Sequence, residues 1–478
     1  MAELKSSRKD LESQRPLSQL STPRDSDTEP ADKEPKESPP PGGFALPLWR
    51  KSLILFVVSW MTLSVTFSST SLLPAVPEIG AEFHTSDEHL NVVNSGVLIA
   101  MGFSSFIWGP IVNLFGRRIA YNAAIVVLCG CSVGMALAIN LKRFIAMRIL
   151  SGFCGTFFMV AGQTIIADIF EPVVRGTATG VMMVGSVSGP AIGPCIGGII
   201  VTFTHWRIIY WLQFAMTVLG LILSLLFLPD LEVKKTVKEP QTVKYVLSMF
   251  NPWHILRPLL YPNIFLSSLL RSTSNIPVRH PHLCSPSIQP SLPPYHAPSE
   301  RPFLPLPGIG FLIGSIVGGK LSDRAVVKWI RKRNGVRLPQ DRLNSGLITL
   351  LLVLPGGTLV YGWTLQEKVG GMPVPIIAAF FAGVGLLGSF NGLNTYASEV
   401  IPQFRSEVVG GKYAVQLLFA AGSTAAVEPL IKVIGVGWTF TICAVFAIIS
   451  GFNVFIITRW GIDMQRWAER KFPLSGTK

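Results

Sequence analysis

Ten stretches of this chain are apolar over about 20 residues each, the length a helix needs to cross the roughly 30 Å hydrocarbon core of a bilayer. They run from Leu53 to Leu73, Leu90 to Val112, Ile119 to Asn140, Phe144 to Ile169, Ala178 to Val201 and Ile208 to Leu228 in the first half. In the second half they run from Leu347 to Trp363, Val374 to Tyr396, Val408 to Ile431 and Gly437 to Thr458. With no water in the bilayer, backbone N–H and C=O groups must pair inside the protein, so such runs fold as packed helices. Charge content agrees: 14% of the 478 residues are charged and 49% are hydrophobic, whereas a soluble chain carries about a quarter charged residues. The fold class that follows is an all-α membrane protein.

The net charge of +14 does not point to nucleic acid, because the basic residues sit in short loops between apolar runs. There they set orientation. The connection from Ala75 to His89 carries Glu78, Glu82, Asp87 and Glu88 without a lysine or arginine, while the next connection carries Arg117 and Arg118. Positive loops stay in the cytoplasm, so the acidic loop is expected outside and both termini inside, with the chain in the cell membrane. Lys142 and Arg143 fall on the unexpected side. Residues 1–49 form a serine- and proline-rich tail, expected to be disordered and cytoplasmic, and it lacks a signal-peptide core, so the first span acts as the insertion signal. Residues 50–228 are expected to form one six-helix bundle, 229–257 a cytoplasmic linker, 258–458 a second bundle and 459–478 a cytoplasmic tail. The six cysteines are scattered, without a disulfide framework or metal-ligand spacing, so neither metal nor cofactor is expected.

One stretch does not fit. A seventh span begins at Leu259 and fails near Leu270, because residues 271–307 hold ten prolines together with His280, His282 and His296. Each proline removes a backbone donor and clashes with the preceding turn, so no membrane helix passes through that density. Without a crossing here, the basic loop from Arg324 to Arg342 would face outward, against the charge rule. One reading is a retained intron or a frameshift in the coding sequence. The other is a genuine proline-rich outer loop between short helices.

Three motifs stand out. In the fifth run, Gly185, Gly189, Pro190, Gly193, Pro194, Gly197 and Gly198 recur mostly in steps of four, which lines glycines along one helix face and lets a partner backbone come close. In water such a helix would be poor, since each interior glycine costs roughly 1 kcal/mol and each proline roughly 3 against alanine. In a bundle, neighbours are expected to supply donors to the orphaned carbonyls of Ser186 and Pro190, and a kink is expected there. The turn after the second run, with Gly109, Asn113, Gly116, Arg117 and Arg118, has a counterpart later in Gly319, Asp323 and Arg324. In the fourth run, Arg148 is followed by Ser151, Gly152 and Gly155; a charge about five residues inside the span must snorkel, pair or face a wet cavity.

These motifs resemble the major facilitator superfamily, and within it the twelve-span drug:proton antiporters of fungi, over Trp49 to Thr458 apart from the proline-rich stretch. The resemblance implies the major facilitator fold, two six-helix bundles with a substrate cavity between them near the bilayer midplane. It implies that the acidic residue of the turn motif pairs with arginines to latch one conformation. Asn113 holds that place in the first half, so the latch there should be weaker than at Asp323. The resemblance also links Arg148 to proton coupling, makes the fifth-run string a mark of antiporters rather than uptake carriers, and extends to the turn with Asp168, Glu171, Arg175 and Gly176.

Asn94, Gln163, Gln213, Asn391, Asn394, Gln416 and Glu428 are polar side chains within the runs and candidates to line the cavity, with interhelical hydrogen bonding as the plainer role. Glu428, near the outer end of the eleventh span, is also a candidate proton site. The expected function is export of a small organic molecule, a drug or secondary metabolite, in exchange for protons, by a monomer in the lipid bilayer. No Gly-x-x-x-x-Gly-Lys-Ser loop is present for nucleotide-driven pumping, and no His and carboxylate cluster points to a membrane enzyme. The alternatives are an uptake carrier of the same fold and a transport-inactive product of a mis-spliced gene.

Overall fold

A computed structural model describes residues 46–229, 250–274, 305–371 and 373–472. Its long helices in the first half are α1 (Leu48–Thr70), α2 (Asp87–Phe115), α3 (Arg117–Ala136), α4 (Leu141–Ile169), α5 (Arg175–Phe203) and α6 (Arg207–Phe227). The second half holds α7 (Pro262–Ser274), α8 (Pro305–Lys332), α9 (Leu354–Glu367), α10 (Pro373–Glu399), α11 (Arg405–Ile434) and α12 (Val436–Lys471). No strand occurs among the described residues, and nine helical stretches there are long and apolar enough to cross a membrane. The protein is an all-α, multi-pass membrane protein.

Single residues separate some neighbouring helices. Gly116 (φ 90°) divides α2 from α3 and Gly435 (φ 84°) divides α11 from α12. A positive φ costs glycine no Cβ clash, so one helix stops and the next begins without a loop. The ninth span starts irregularly, with a 3-10 turn over Pro339–Gly346 and a π turn over Thr349–Val353 before α9. Pro355 has no N–H to continue the α-helical ladder back toward Leu351, which accounts for the altered turn.

The seventh helix is described over 13 residues, about 20 Å, against the roughly 30 Å of a hydrocarbon core. Residues 271–274 still belong to it and Pro305 already opens α8, so the anomalous stretch narrows at both ends; residues 275–304 lie outside the described residues.

Helix α5 lies between the halves. On one face, a Cβ at Gly185 would collide with the carbonyl of Ser59, one at Gly189 with Thr66, one at Gly193 with Thr70 and one at Gly197 with the carbonyl of Ser71. The stripe therefore rests on the backbone of α1. On another face, Gly176 and Gly180 meet Gly319 and the carbonyl of Ser315 in α8, across the seam. Ser315 Oγ donates to the Gly180 carbonyl at 2.7 Å. The helix runs unbroken from Arg175 to Phe203 through both prolines, and the neighbouring donor goes to a different carbonyl from those expected: Thr70 Oγ1 donates to the Gly189 carbonyl at 3.1 Å. Helix α8 carries a second stripe, Gly310, Gly314 and Gly318, seated on the backbone of α10 at Phe380, Val384 and Gly388. That repeat of four is visible in the sequence; its partner surface on α10 is not.

Candidate functional site

At the end of the bundle that carries the basic loops, ion pairs join the two halves. Arg175 opens α5, and its Nη1 lies 2.7 Å from Oε1 of Glu399, the last residue of α10. Arg342, in the 3-10 turn before α9, has its side chain wholly buried. Its Nε and Nη2 reach the two oxygens of Glu399, each at 2.9 Å, and its Nη1 reaches Asp323 Oδ1 at 2.9 Å. Arg342 also donates to the carbonyl of Pro172 in the first half, and Arg337 pairs with Glu399 as well. Asp323 accepts from the backbone N–H of Gly176 at 2.8 Å and of Thr177 at 2.7 Å, and from the Thr177 hydroxyl at 2.7 Å. Those N–H groups are the unpaired donors of the first turn of α5, where a carboxylate also meets the positive end of the helix dipole. The arginine that serves Asp323 is thus Arg342, distant in sequence, rather than its neighbour Arg324, which is exposed.

The matching corner of the first half is built differently. Asp168 at the end of α4 pairs with Arg117 of α3 and with Arg405 at the start of α11, again spanning the seam. Arg118 instead donates to the Leu225 carbonyl at 3.0 Å. Asn113 is exposed and lines a cavity of about 260 Å³ together with Ser406 and Glu407 of α11 and Asn251 and His254 of the segment before α7. Ile255 from that segment packs 3.6 Å from where a Cβ of Gly109 would lie, and reaches Gly410 and Gly411 of α11 on its other side. One corner is closed by a charged cap on a helix end, the other by the ion pairs of Asp168 and an apolar wedge beside a cavity.

Arg148 is 2% exposed, so it does not snorkel to the surface. Its Nη1 donates to the Ser68 carbonyl at 2.7 Å and its hydroxyl at 3.3 Å, and Nη2 to the Ser69 carbonyl at 3.5 Å, tying α4 to the far end of α1. Its Nε and the buried hydroxyl of Tyr210 have no hydrogen-bond partner among the described residues. A small cavity lined by Arg148, Ser68, Ser69 and Ser151 adjoins the guanidinium. Desolvated and held by neutral acceptors, this charge sits where a transferable negative or protonatable group would interact strongly with it.

The sequence reading missed Lys412. It is 1% exposed in α11, and its Nζ lies 3.0 Å from Gln163 Oε1 of α4 and 3.0 Å from Asn394 Oδ1 of α10. Gln163 Nε2 donates to the Tyr413 hydroxyl at 2.6 Å, and Asn394 Nδ2 lies 3.3 Å from Met183 Sδ of α5. Two of the cavity candidates therefore come together around a buried ammonium at the seam. A lysine a few residues inside an apolar run was the available signal.

The other candidates separate. Gln213 donates to the Ser64 carbonyl at 3.0 Å within the first half, and Asn391 donates to the Ser315 carbonyl within the second, both as interhelical bonds. Asn94 is half-buried and Gln416 buried; Oδ1 of Asn94 and Oε1 of Gln416 lack a partner among the described residues. The side chain of Glu428 lies outside the described residues. Gly198 is off the α1 contact, its nearest neighbour being Pro74 Cβ at 3.9 Å.

Comparison with known proteins agrees with this architecture. The chain is 21% identical to the "MFS antiporter QDR3" of Candida albicans over 86% of its length and 78% of that protein. It is 24% identical to the "Efflux pump FUB11" of Gibberella moniliformis over 89% of its length and 75% of that protein. The solved structure of the proton:xylose symporter XylE superposes with a TM-score of 0.65 at 16% identity, covering 85% of this chain and 95% of that one. The family model described as Major Facilitator Superfamily matches residues 58–427. With its two six-helix halves, the glycine-seated α5 and the charged seam, this chain is a membrane transporter that belongs to the major facilitator superfamily.

Proposed function

We propose that the protein exports small organic molecules in exchange for protons, working as a monomer in the cell membrane with its basic end and both termini in the cytoplasm. The observation that carries this reading is the seating of the α5 glycine stripe on the α1 backbone, since that string resembles the antiporter signature. The same helix touches α8 across the seam, so it can bear on both halves as one rocks against the other. The arrangement described here then corresponds to a state closed toward the cytoplasm by Arg175, Arg342, Asp323 and Glu399. In support, α2 and α11 touch at Gly102 with Leu417 and at Ser105 with Gly410. Toward the acidic end, a Cβ at Gly96 or Gly422 would meet nothing within 4 Å among the described residues. Arg148 takes the part of the coupling residue, Glu428 is kept as a candidate proton site from its place in the eleventh span, and Asn113 keeps the weaker latch that the resemblance implies. The efflux and antiporter names of the two relatives support the direction.

The test is expression in a cell lacking its own pumps, followed by measurement of dye accumulation with and without a proton uncoupler. Export predicts lower accumulation that the uncoupler restores; higher accumulation would favour uptake. The ten prolines of residues 271–307 favour a second reading, a transport-inactive product, for which accumulation would not change.

A further inference from the structure

We infer that Lys412, with Gln163 and Asn394, is the recognition point for an organic acid, and that the transported class is apolar bodies bearing a carboxylate. This rests on the transport reading above and adds the substrate chemistry to it.

The cluster straddles the seam. Gln163 belongs to the first half, Asn394 and Lys412 to the second, and each amide oxygen is 3.0 Å from the ammonium. The Tyr413 ring lies 4.4 Å from the same nitrogen, and the Met183 sulfur lies against Asn394, so the surroundings combine a cation with apolar, polarizable surface. A charged group inside the apolar part of a membrane protein is costly and is kept where it meets a substrate, an ion or a partner. Two of the groups that hold the ammonium, the amide oxygens of Gln163 and Asn394, are neutral dipoles. A carboxylate is the stronger acceptor, because it adds the attraction of a full negative charge to a bond that the ammonium already assists.

Position gives the cluster its timing. On α4 the order from the basic end is Asp168 and then Gln163; on α10 it is Glu399 and then Asn394; on α11 it is Arg405 and then Lys412. The latch thus lies about one and a half to two helical turns closer to the basic end than the amides and the lysine. While the latch holds, Gln163 and Asn394 cover the ammonium. When the halves part at the basic end, Gln163 leaves with the first half and Lys412 is exposed to that compartment, where a carboxylate can replace the lost amide oxygen. Closure brings Gln163 back into competition with the bound acid. The device loads an anion from the basic end and loosens it as that end shuts.

The test is binding to the full-length protein in lipid nanodiscs, read as thermal stabilisation with 2-naphthoate and 4-phenylbutyrate, each beside its neutral primary amide. Wild type is expected to bind at least one acid about tenfold more tightly than its amide. Lys412→Met should abolish that preference while Lys412→Arg, which keeps the charge, preserves it; size-exclusion profiles identify any variant that fails to fold. Equal binding of acid and amide by wild type, or a preference that survives Lys412→Met, would overturn the assignment. Because binding has no direction, acid preference without uncoupler-sensitive export would sink the efflux reading and leave the substrate class standing. Export of neutral dyes without acid preference would do the reverse.

Discussion

Arg175 and Glu399, the first residue of α5 and the last of α10, meet at 2.7 Å across the seam with side chains 6% and 3% exposed. Glu399 also takes Arg337 and Arg342, so one carboxylate gathers three cations from two halves of the molecule. A buried charge that loses its partner costs about 3–5 kcal/mol, far more than an exposed pair is worth. Such a cluster acts as a two-position catch: satisfied when the halves are closed there, and relieved by water when they open.

Glu399→Gln is therefore expected to shift the population toward the state open at the basic end. A reporter made by Ser398→Cys, at a position 2% exposed, in a background without the native cysteines, should alkylate at least about fivefold faster in that variant. Unchanged labelling would mean the ion pairs do not hold the closed state.

Gly189→Ala is expected to abolish transport, because its methyl would lie on Thr66 and the backbone of Phe67, and overpacking at such contacts costs about 1–3 kcal/mol where the neighbour is main chain. Gly198→Ala, in the same string but with Pro74 Cβ at 3.9 Å, should leave the rate within about twofold. Initial export rates at matched expression separate the two; equal loss in both would show that the string matters for something other than the α1 contact.

Arg148 holds two consecutive carbonyls of α1 with a planar fork that lysine cannot reproduce. Arg148→Lys should lower export driven by a pH gradient by about tenfold or more while leaving substrate exchange without a gradient largely intact. If both fall together, Arg148 is a structural tie between α4 and α1 rather than a coupling residue.

The ten prolines of residues 271–307 lead to a prediction about the message. Sequencing the transcript across codons 260 to 310 is expected to yield a reading in which an apolar run replaces the proline-rich stretch. A chain carrying that run should export dyes at least as fast as the present one, in the same uncoupler-sensitive assay. An uninterrupted transcript encoding the present residues would establish the outer-loop alternative.

The bundle of helices was legible in the sequence because apolar length is a local property: the expected spans match α1 to α6, α10 and α11 within about five residues, whereas α9 begins at Leu354 rather than Leu347 and α12 runs on from Thr458 to Lys471; Gly116 marks the α2–α3 break. The stripe of glycines was legible for the same reason, since a repeat of four on a helix defines a face. Its partner was not. Nothing within Gly185 to Gly198 names Ser59, Thr66 and Ser71 as the surface beneath it, and the donor to the Gly189 carbonyl, Thr70, comes from 119 residues away.

Charge separated in the same manner. Loop counting could assign basic residues to one end, but it could not tell that Arg342 would be buried between Asp323 and Glu399 while Arg324 stayed exposed. It also passed over Lys412, whose importance comes from two amide oxygens, one of them 249 residues distant. Hydrophobic periodicity sets how many rods cross and which faces are smooth, because each rod's solvent is the bilayer. Which charges meet is decided by the docking of one half on the other, because ion pairs and hydrogen bonds act over a few ångströms that the linear chain does not measure.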